Sequence, residues 1–346
     1  MSKRLQNSGQ SAKLSDVAAH AGVSTATVSR TLNTPAKVRP EIAERVRLAI
    51  SELGYVPDAA ARALASRRSR AIGALVPTLS NPIFADYIQA VEEGLDGHGY
   101  ALVVASTDYR LDKELRQARA LIEHGIDALL LTGTDHHQAL YQTLEERSMP
   151  YVNSWAVLPH PTHPYIGIDN RHAAMRLTDY LLDLGHHQVA VIAGVMNEND
   201  RARDRVAGVR DALNARGYQL PADYLIEKPY GIDQGRQAMR TLMTSTNRPS
   251  AVIGGNDLLA LGAVLECQTN GLHVPNDISI AGFDDMELSS HIPPTLTTMR
   301  VPTRTMGQRA AEYVLGRLSG EERETHVQLD VELIVRGSTA PVADSR

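Results

Sequence analysis

An α/β protein with a small all-α head is the fold class this sequence predicts, on three observations. The stretch Leu14–Leu32, LSDVAAHAGVSTATVSRTL, carries the signals of two short helices joined by a glycine turn. From Ala71 onward, short apolar runs alternate with amphipathic helical patterns. The charge is split: residues 1–70 hold three lysines and nine arginines against two aspartates and three glutamates, a balance of +7, which leaves −12 on the rest of a chain whose net charge is −5.

In the head, Ser15 is placed to cap the first helix and Asp16 lies in its first turn. Val17, Ala18 and Ala21 give that helix a narrow apolar side, and Gly22 ends it because glycine enters left-handed geometry without steric cost. Ser24 caps a second helix from about Thr25 to Leu32, with Val23 and Val28 packing the two together. A third helix is expected from Pro40 to Leu53, with Ile42, Val46, Ile50 and Leu53 on one face and Gly54 as terminator. This is the helix-turn-helix pattern, whose second helix fits a DNA major groove. Matched position by position to that motif, Thr25 and Ala26, with Arg30 one turn further on, would face base edges, and Thr27, Ser29 and Asn33 would address phosphates. Arg30 can donate two hydrogen bonds to guanine, a phosphate contact being its alternative; Ala26 offers only apolar contact, and Thr25 suits a base or a phosphate. A basic head on an acidic body is the electrostatic footprint of a polyanion partner.

The expected boundaries are a disordered polar tail (1–13), the head (14–56), a hinge helix or linker (57–70), a body (71–340) and a short tail (341–346). Five alanines favour a helix in the hinge, but a segment this short is marginal alone. It is either a helix that orders only against a partner or a flexible connector.

In the body the apolar runs are 72–77, 102–107, 128–133, 151–155, 165–169, 188–194, 251–256 and 278–285, with helical patterns such as Phe84–Asp96, Asp112–His124, Asn170–Leu184 and Asp257–Asn270 between them. Continuous apolar strands belong to parallel sheets covered on both faces, and this alternation suggests two doubly wound subdomains. Ligands in such sheets bind beyond the carboxyl ends of strands. That singles out Thr78, Ser80, Asn153, Asp169, Asn256 and Asp284.

Other chemistry finds little support. One cysteine, Cys267, excludes an intrachain disulfide and sits on an apolar helical pattern. The N-terminus has no signal-peptide core and the chain has no membrane-length apolar run, so a cytoplasmic protein is expected. His160 and His163 have no companion ligands for zinc; no metal and no cofactor are expected. No phosphate loop or nucleophile elbow occurs, so an enzyme is not expected. The alternative is a soluble α/β sugar-binding protein or enzyme with an incidental helical head.

Taken together, DVAAHAGVSTATVSRTLN, ELGYVPDAAARAL, VPTLSNPIF, LGHHQVAVIAG, the Arg205–Gly208 pair, GGNDLLALGAV and ISIAGFDD resemble the lac-repressor/galactose-repressor family in order and spacing, from Leu14 to about Ala340. The stretch Ala260–Phe283 is similar to its gluconate-responsive branch. The resemblance implies a repressor acting as a homodimer on double-stranded operator DNA, with a periplasmic-binding-protein-like body. It implies interleaved subdomains: about 71–167 with 299–328, and about 168–298 with 329–340. It implies hinge helices in the minor groove, where Ala61 and Leu64 match and Leu64 would wedge a base step, a packing residue being the alternative. Asp58 departs from the Asn usual after the hinge proline and would repel a phosphate; Arg62, Arg67 and Arg68 are placed to compensate.

For a small effector between the subdomains, the resemblance carries over Phe84, Asp169, Arg205, Tyr230, Asn256 and Asp284. Asp257 is expected to cap its own helix. Trp155 stands about where the family often has an acid, a few residues after the proline of the fourth strand (here Pro150), and either stacks on the effector, forms part of the cleft rim or fills the core. Arg201 and Arg203, close to Arg205, leave three effector classes open: a sugar acid, a neutral sugar or polyol, and a purine-like ligand. The C-terminus lacks a leucine heptad, which favours a dimer over a tetramer.

Overall fold

The computed structural model describes residues 12–33, 37–56, 68–158, 162–245 and 247–342. They fall into two compact units divided between Ser69 and Arg70. The hinge expectations for Ala61 and Leu64, with Asp58, Arg62 and Arg67, lie outside the described residues, as do residues 1–11 and His160.

The first unit contains helices α1 (Leu14–Ala21), α2 (Thr25–Asn33) and α3 (Pro40–Leu53). Val17, Val28 and Val46 are fully buried at its centre, each contributing about 1.5–3 kcal/mol. Gly22 adopts φ 63° and closes α1 by donating to the Ala18 and Ala19 carbonyls. Ser24 caps α2, accepting from the Thr27 amide at 3.2 Å. The cap of α1 differs from expectation. Ser15 lies inside the helix; Lys13 precedes it, and its amide is held by the Asp16 carboxylate at 2.8 Å. Asp16 reaches back from the first turn and does what Ser15 was assigned.

The second unit holds two parallel sheets. The first has the order β11-β5-β4-β3-β1-β2, from β1 (Ala71–Val76), β2 (Ala101–Ser106), β3 (Ala128–Thr132), β4 (Tyr151–Ser154), β5 (Tyr165–Gly167) and β11 (His326–Gln328). The second has the order β7-β6-β8-β9, from β6 (Val189–Gly194), β7 (Leu225–Lys228), β8 (Ala251–Gly254) and β9 (Ser279–Ala281). A short antiparallel pair, β10 (Thr298–Arg300) with β12 (Glu332–Ile334), lies on chain passing between them. β3 and β6 are buried at every position, as strands covered by helices on both faces must be.

The helices of this unit are α4 (Pro82–Leu95), α5 (Leu111–Glu123), α6 (Gln138–Glu146), α7 (Asn170–Asp183), α8 (Asp200–Ala215), α9 (Ile232–Met243), α10 (Asp257–Thr269) and α11 (Thr303–Ser319). α7 packs on α8 and α4 on α11. A Cβ on Gly208 of α8 would overlap the Arg171 carbonyl of α7, so that pair meets through a glycine. Cys267 is fully buried, as expected. Among the described residues no helix is long and apolar enough to cross a membrane, and no three His, Cys, Asp or Glu side chains are grouped to hold a metal.

Candidate DNA-reading face and ligand cleft

On α2, Thr25, Ala26 and Arg30 are exposed and Ser29 is half-buried. Positions four apart lie on one side of a helix, so Ala26 and Arg30 share a face, with Thr25 beside Ala26 at the start of the helix. Thr27 is half-buried and engaged locally: its hydroxyl lies 2.9 Å from Ser24 Oγ, and its carbonyl accepts from Thr31 Oγ1. Asn33 is the last residue of α2.

In the body, one cavity is lined from both sheets by Asn81, Ile83, Phe84, Tyr109, Trp155, Arg201, Arg205, Tyr230, Asn256 and Asp284. Most of these follow the carboxyl ends of β1, β2, β4, β6, β7, β8 and β9. In each sheet the strand order reverses between two strands, β1 and β3 in one, β6 and β8 in the other, and ligands collect at such switch points. The walls nearly meet, leaving about 20 Å³. Tyr109 and Tyr230, ring centroids 5.6 Å apart, stand between this cavity and an outer vestibule of about 620 Å³ that includes Thr78, Ser80 and Glu198. A Cβ on Gly194 would overlap the Tyr230 ring, so this glycine lets the tyrosine reach the mouth.

Trp155 is a buried ring that also faces the cavity. Its ring is 2% exposed, yet it forms part of the cavity wall, 4.9 Å from Phe84 and edge-on to Tyr87 at 5.7 Å. Its backbone is left-handed, φ 78°, a conformation that costs a non-glycine residue about 1–3 kcal/mol. Asn170 Nδ2 holds the Trp155 carbonyl at 2.9 Å, and Asn170 Oδ1 accepts from Arg205 Nε at 2.9 Å.

Arg205 is the hub. It also donates to the Gly255 carbonyl at 2.7 Å, stacks 3.7 Å above Phe283, and approaches Asp284 Oδ1 at 3.6 Å. Burial pushes Asp284 up to about 7, against the opposing pull of Arg205. Asn256 caps α10 through Oδ1, which accepts from the Leu259 amide at 3.0 Å. Asp257 therefore does not cap its own helix. Its carboxylate instead accepts from Ser289 Oγ, Thr298 Oγ1 and the Met286 amide at 2.6–2.8 Å, fixing the loop after Asp284.

Two buried wall atoms have no hydrogen-bond partner among the described residues, Trp155 Nε1 and Asn256 Nδ2. A buried donor left unpaired costs about 1–3 kcal/mol, so each favours a ligand acceptor.

The structure thus gathers Phe84, Trp155, Arg205, Tyr230, Asn256 and Asp284 around one space. Asp169 is set apart: half-buried, it caps α7 by accepting from the His172 amide at 2.8 Å, and Asn170 takes the inward position. Asn81, Tyr109 and Asn170 went unassigned in the sequence. An asparagine just inside a helix start and 2% exposed is a signal of buried polar work, but burial is not written in the chain.

Residues 69–336 match the family described as periplasmic binding proteins and sugar binding domain of LacI family, and residues 13–58 match bacterial regulatory proteins, lacI family. The chain belongs to the LacI family. Among LacI-family relatives, the ribose operon repressor of Escherichia coli K12 is 34% identical over 331 residues, 94% of this chain and 99% of that protein. The HTH-type transcriptional repressor PurR of Vibrio campbellii is also 34% identical, over 94% of this chain and 98% of its own length. The lac repressor dimer bound to operator and the anti-inducer ONPF superposes with a TM-score of 0.85 at 28% identity, covering 96% of this chain and all of that one.

Proposed function

We propose that this protein is a transcriptional repressor that binds operator DNA through its head, and that a small effector, a sugar or sugar acid, bound in the cleft controls its operator affinity. The observation that carries this reading is the cleft itself: aromatic walls, a buried arginine and two unpartnered donors converge from both sheets on one enclosed space. Phe84 and Trp155 suit the apolar face of a ring, while Arg205, Asn256 and Asp284 suit its hydroxyls. Asp169 acts from outside the wall, through the start of α7.

On the DNA side, Thr25, Ala26 and Arg30 read base edges, while Thr27, Ser29 and Asn33 address phosphates. Ala61 and Leu64 enter the minor groove at the operator centre, where Leu64 partly unstacks a base step. The protein acts as a homodimer, so each operator carries two half-sites. The body's division into about 71–167 with 299–328, and about 168–298 with 329–340, gives the effector two halves to hold together.

Duplexes selected from a random pool by the full-length protein test this reading. Fluorescence anisotropy should show a steep loss of affinity with salt and a preference for one two-fold symmetric sequence. Equal weak binding to every duplex at low salt would reject it.

A further inference from the structure

Two guanidinium groups, those of Arg201 and Arg205, reach the cavity. Left to themselves they would make it a receptor for an anion. Each has instead been given an acidic neighbour, Asp200 for Arg201 and Asp284 for Arg205. Arg201 Nη1 lies 2.7 Å from Asp200 Oδ1 and 3.3 Å from the Thr132 carbonyl. The other oxygen of Asp200 accepts from the Thr134 amide at 2.6 Å and from Thr134 Oγ1 at 2.7 Å, so both oxygens are occupied. Burial works to protonate Asp200, but Arg201 and the Thr134 hydrogen bonds outweigh it and hold the carboxyl below its ordinary value. Arg205 has Asp284 at 3.6 Å and has committed Nε and Nη1 to neutral acceptors. The fully buried wall donors without a partner among the described residues, Trp155 Nε1 and Asn256 Nδ2, are uncharged.

A carboxylate entering this space would lose its hydration, find Arg201 already paired with Asp200 and Arg205 largely committed to neutral acceptors, and lie near Asp284. A hydroxyl or ring oxygen would satisfy the same donors at no charge cost. We infer that Asp200, which does not line the cavity, sets the charge preference of the cleft: by cancelling Arg201 it selects a neutral polyhydroxylated ring over the corresponding sugar acid. Asp200 is a positioning residue, acting through Arg201. The inference rests on the proposal that the effector occupies this cleft, and it chooses among the classes that the arginine-rich stretch left open.

The test uses the full-length protein with neutral aldopentoses and aldohexoses and the aldonates obtained by oxidising each at C1, read by thermal shift and calorimetric titration. The wild type should be stabilised by at least one neutral sugar and bind its aldonate at least ten-fold more weakly. Asp200→Asn should move that ratio at least ten-fold toward the aldonate. The double variant Asp200→Asn with Arg201→Gln should restore the neutral preference. Thr134→Val, which removes one hydrogen bond but leaves the carboxylate, should keep the wild-type ratio. If Asp200→Asn does not fold, Arg201→Gln alone substitutes: the surplus negative charge should move the ratio ten-fold further against the aldonate. A wild type that prefers the aldonate, a wild type stabilised by no neutral sugar, or a ratio unmoved in these charge variants would overturn the inference. A nucleobase that stabilises the wild type but not Arg205→Ala would also overturn it while leaving the cleft reading intact. A stabilisation that survives in Arg205→Ala would instead defeat the cleft reading itself.

Discussion

The head and the body present their polar residues in opposite ways. On α2, Thr25, Ala26 and Arg30 are exposed on a helix whose turn and cap are built from residues close in sequence, Gly22 and Ser24. In the cleft, Arg205, Asn256 and Asp284 are buried, and Arg205 and Asp284 are held by partners far along the chain. A surface that meets a duplex can be repaired by water when a residue is lost. An enclosed site cannot, because each buried polar group depends on the next. Substitutions in the head should therefore change recognition with little effect on stability, whereas substitutions in the cleft should change both.

The largest contrast is expected at Arg205. Its loss strands Asp284, Asn170 Oδ1 and the Gly255 carbonyl in a buried space, and breaking such a buried pair costs about 3–5 kcal/mol. Urea denaturation of Arg205→Ala should show that loss. Arg30→Ala should leave the denaturation curve within about 0.5 kcal/mol of the wild type, yet remove about 1–3 kcal/mol of discrimination at one base pair per half-site. Anisotropy on singly substituted duplexes measures it; an equal loss on every duplex would assign Arg30 to a phosphate.

A pH series separates the two regions further. Asp284 is raised to about 7 by burial, against the pull of Arg205. A carboxyl raised on folding stabilises the fold fully below its unfolded value, and that stabilisation is lost as pH rises through the folded one. Between about pH 6 and 8 the loss should be about 1.4 kcal/mol. The wild type should therefore lose stability over this window relative to Asp284→Asn; parallel curves would contradict the assignment. An effect of similar size is expected at the turn of the head. Gly22→Ala places a side chain at φ 63° against the Arg45 guanidinium and should cost about 1–2 kcal/mol, seen in denaturation of the head with the body's transition unchanged.

The same contrast explains what was legible in the sequence. Helices α1 to α3 follow from caps, glycine turns and apolar spacing, all local signals; the misplaced cap, Lys13 with Asp16 rather than Ser15, is a shift within one turn. The eight apolar runs became eight strands, most of them buried on both faces, with β2 half-exposed at its sheet's edge. Leu225–Lys228, Thr298–Arg300, His326–Gln328 and Glu332–Ile334 were not foreseen. They are short and partly polar, and pairing with remote segments rather than composition makes them strands. The cleft residues carried over by resemblance come together, except Asp169. Asn170, Tyr109 and Asp200 were invisible as site residues because their partners, Arg205, Tyr230 and Thr134, lie far along the chain. The roles of Asn256 and Asp257 were confused for a related reason. Either can cap a helix, and only the position of Ser289 and Thr298 decides which one is needed elsewhere.

Occupancy of the cleft should be felt at the DNA. The direct measurement is operator affinity by anisotropy, with and without a sugar or sugar acid that stabilises the full-length protein, in the wild type and in Arg205→Ala. Coupling of about 1–3 kcal/mol would change the wild-type dissociation constant about 5- to 150-fold and leave the variant unmoved. The same change in both proteins, or none in the wild type at saturating ligand, would contradict the account.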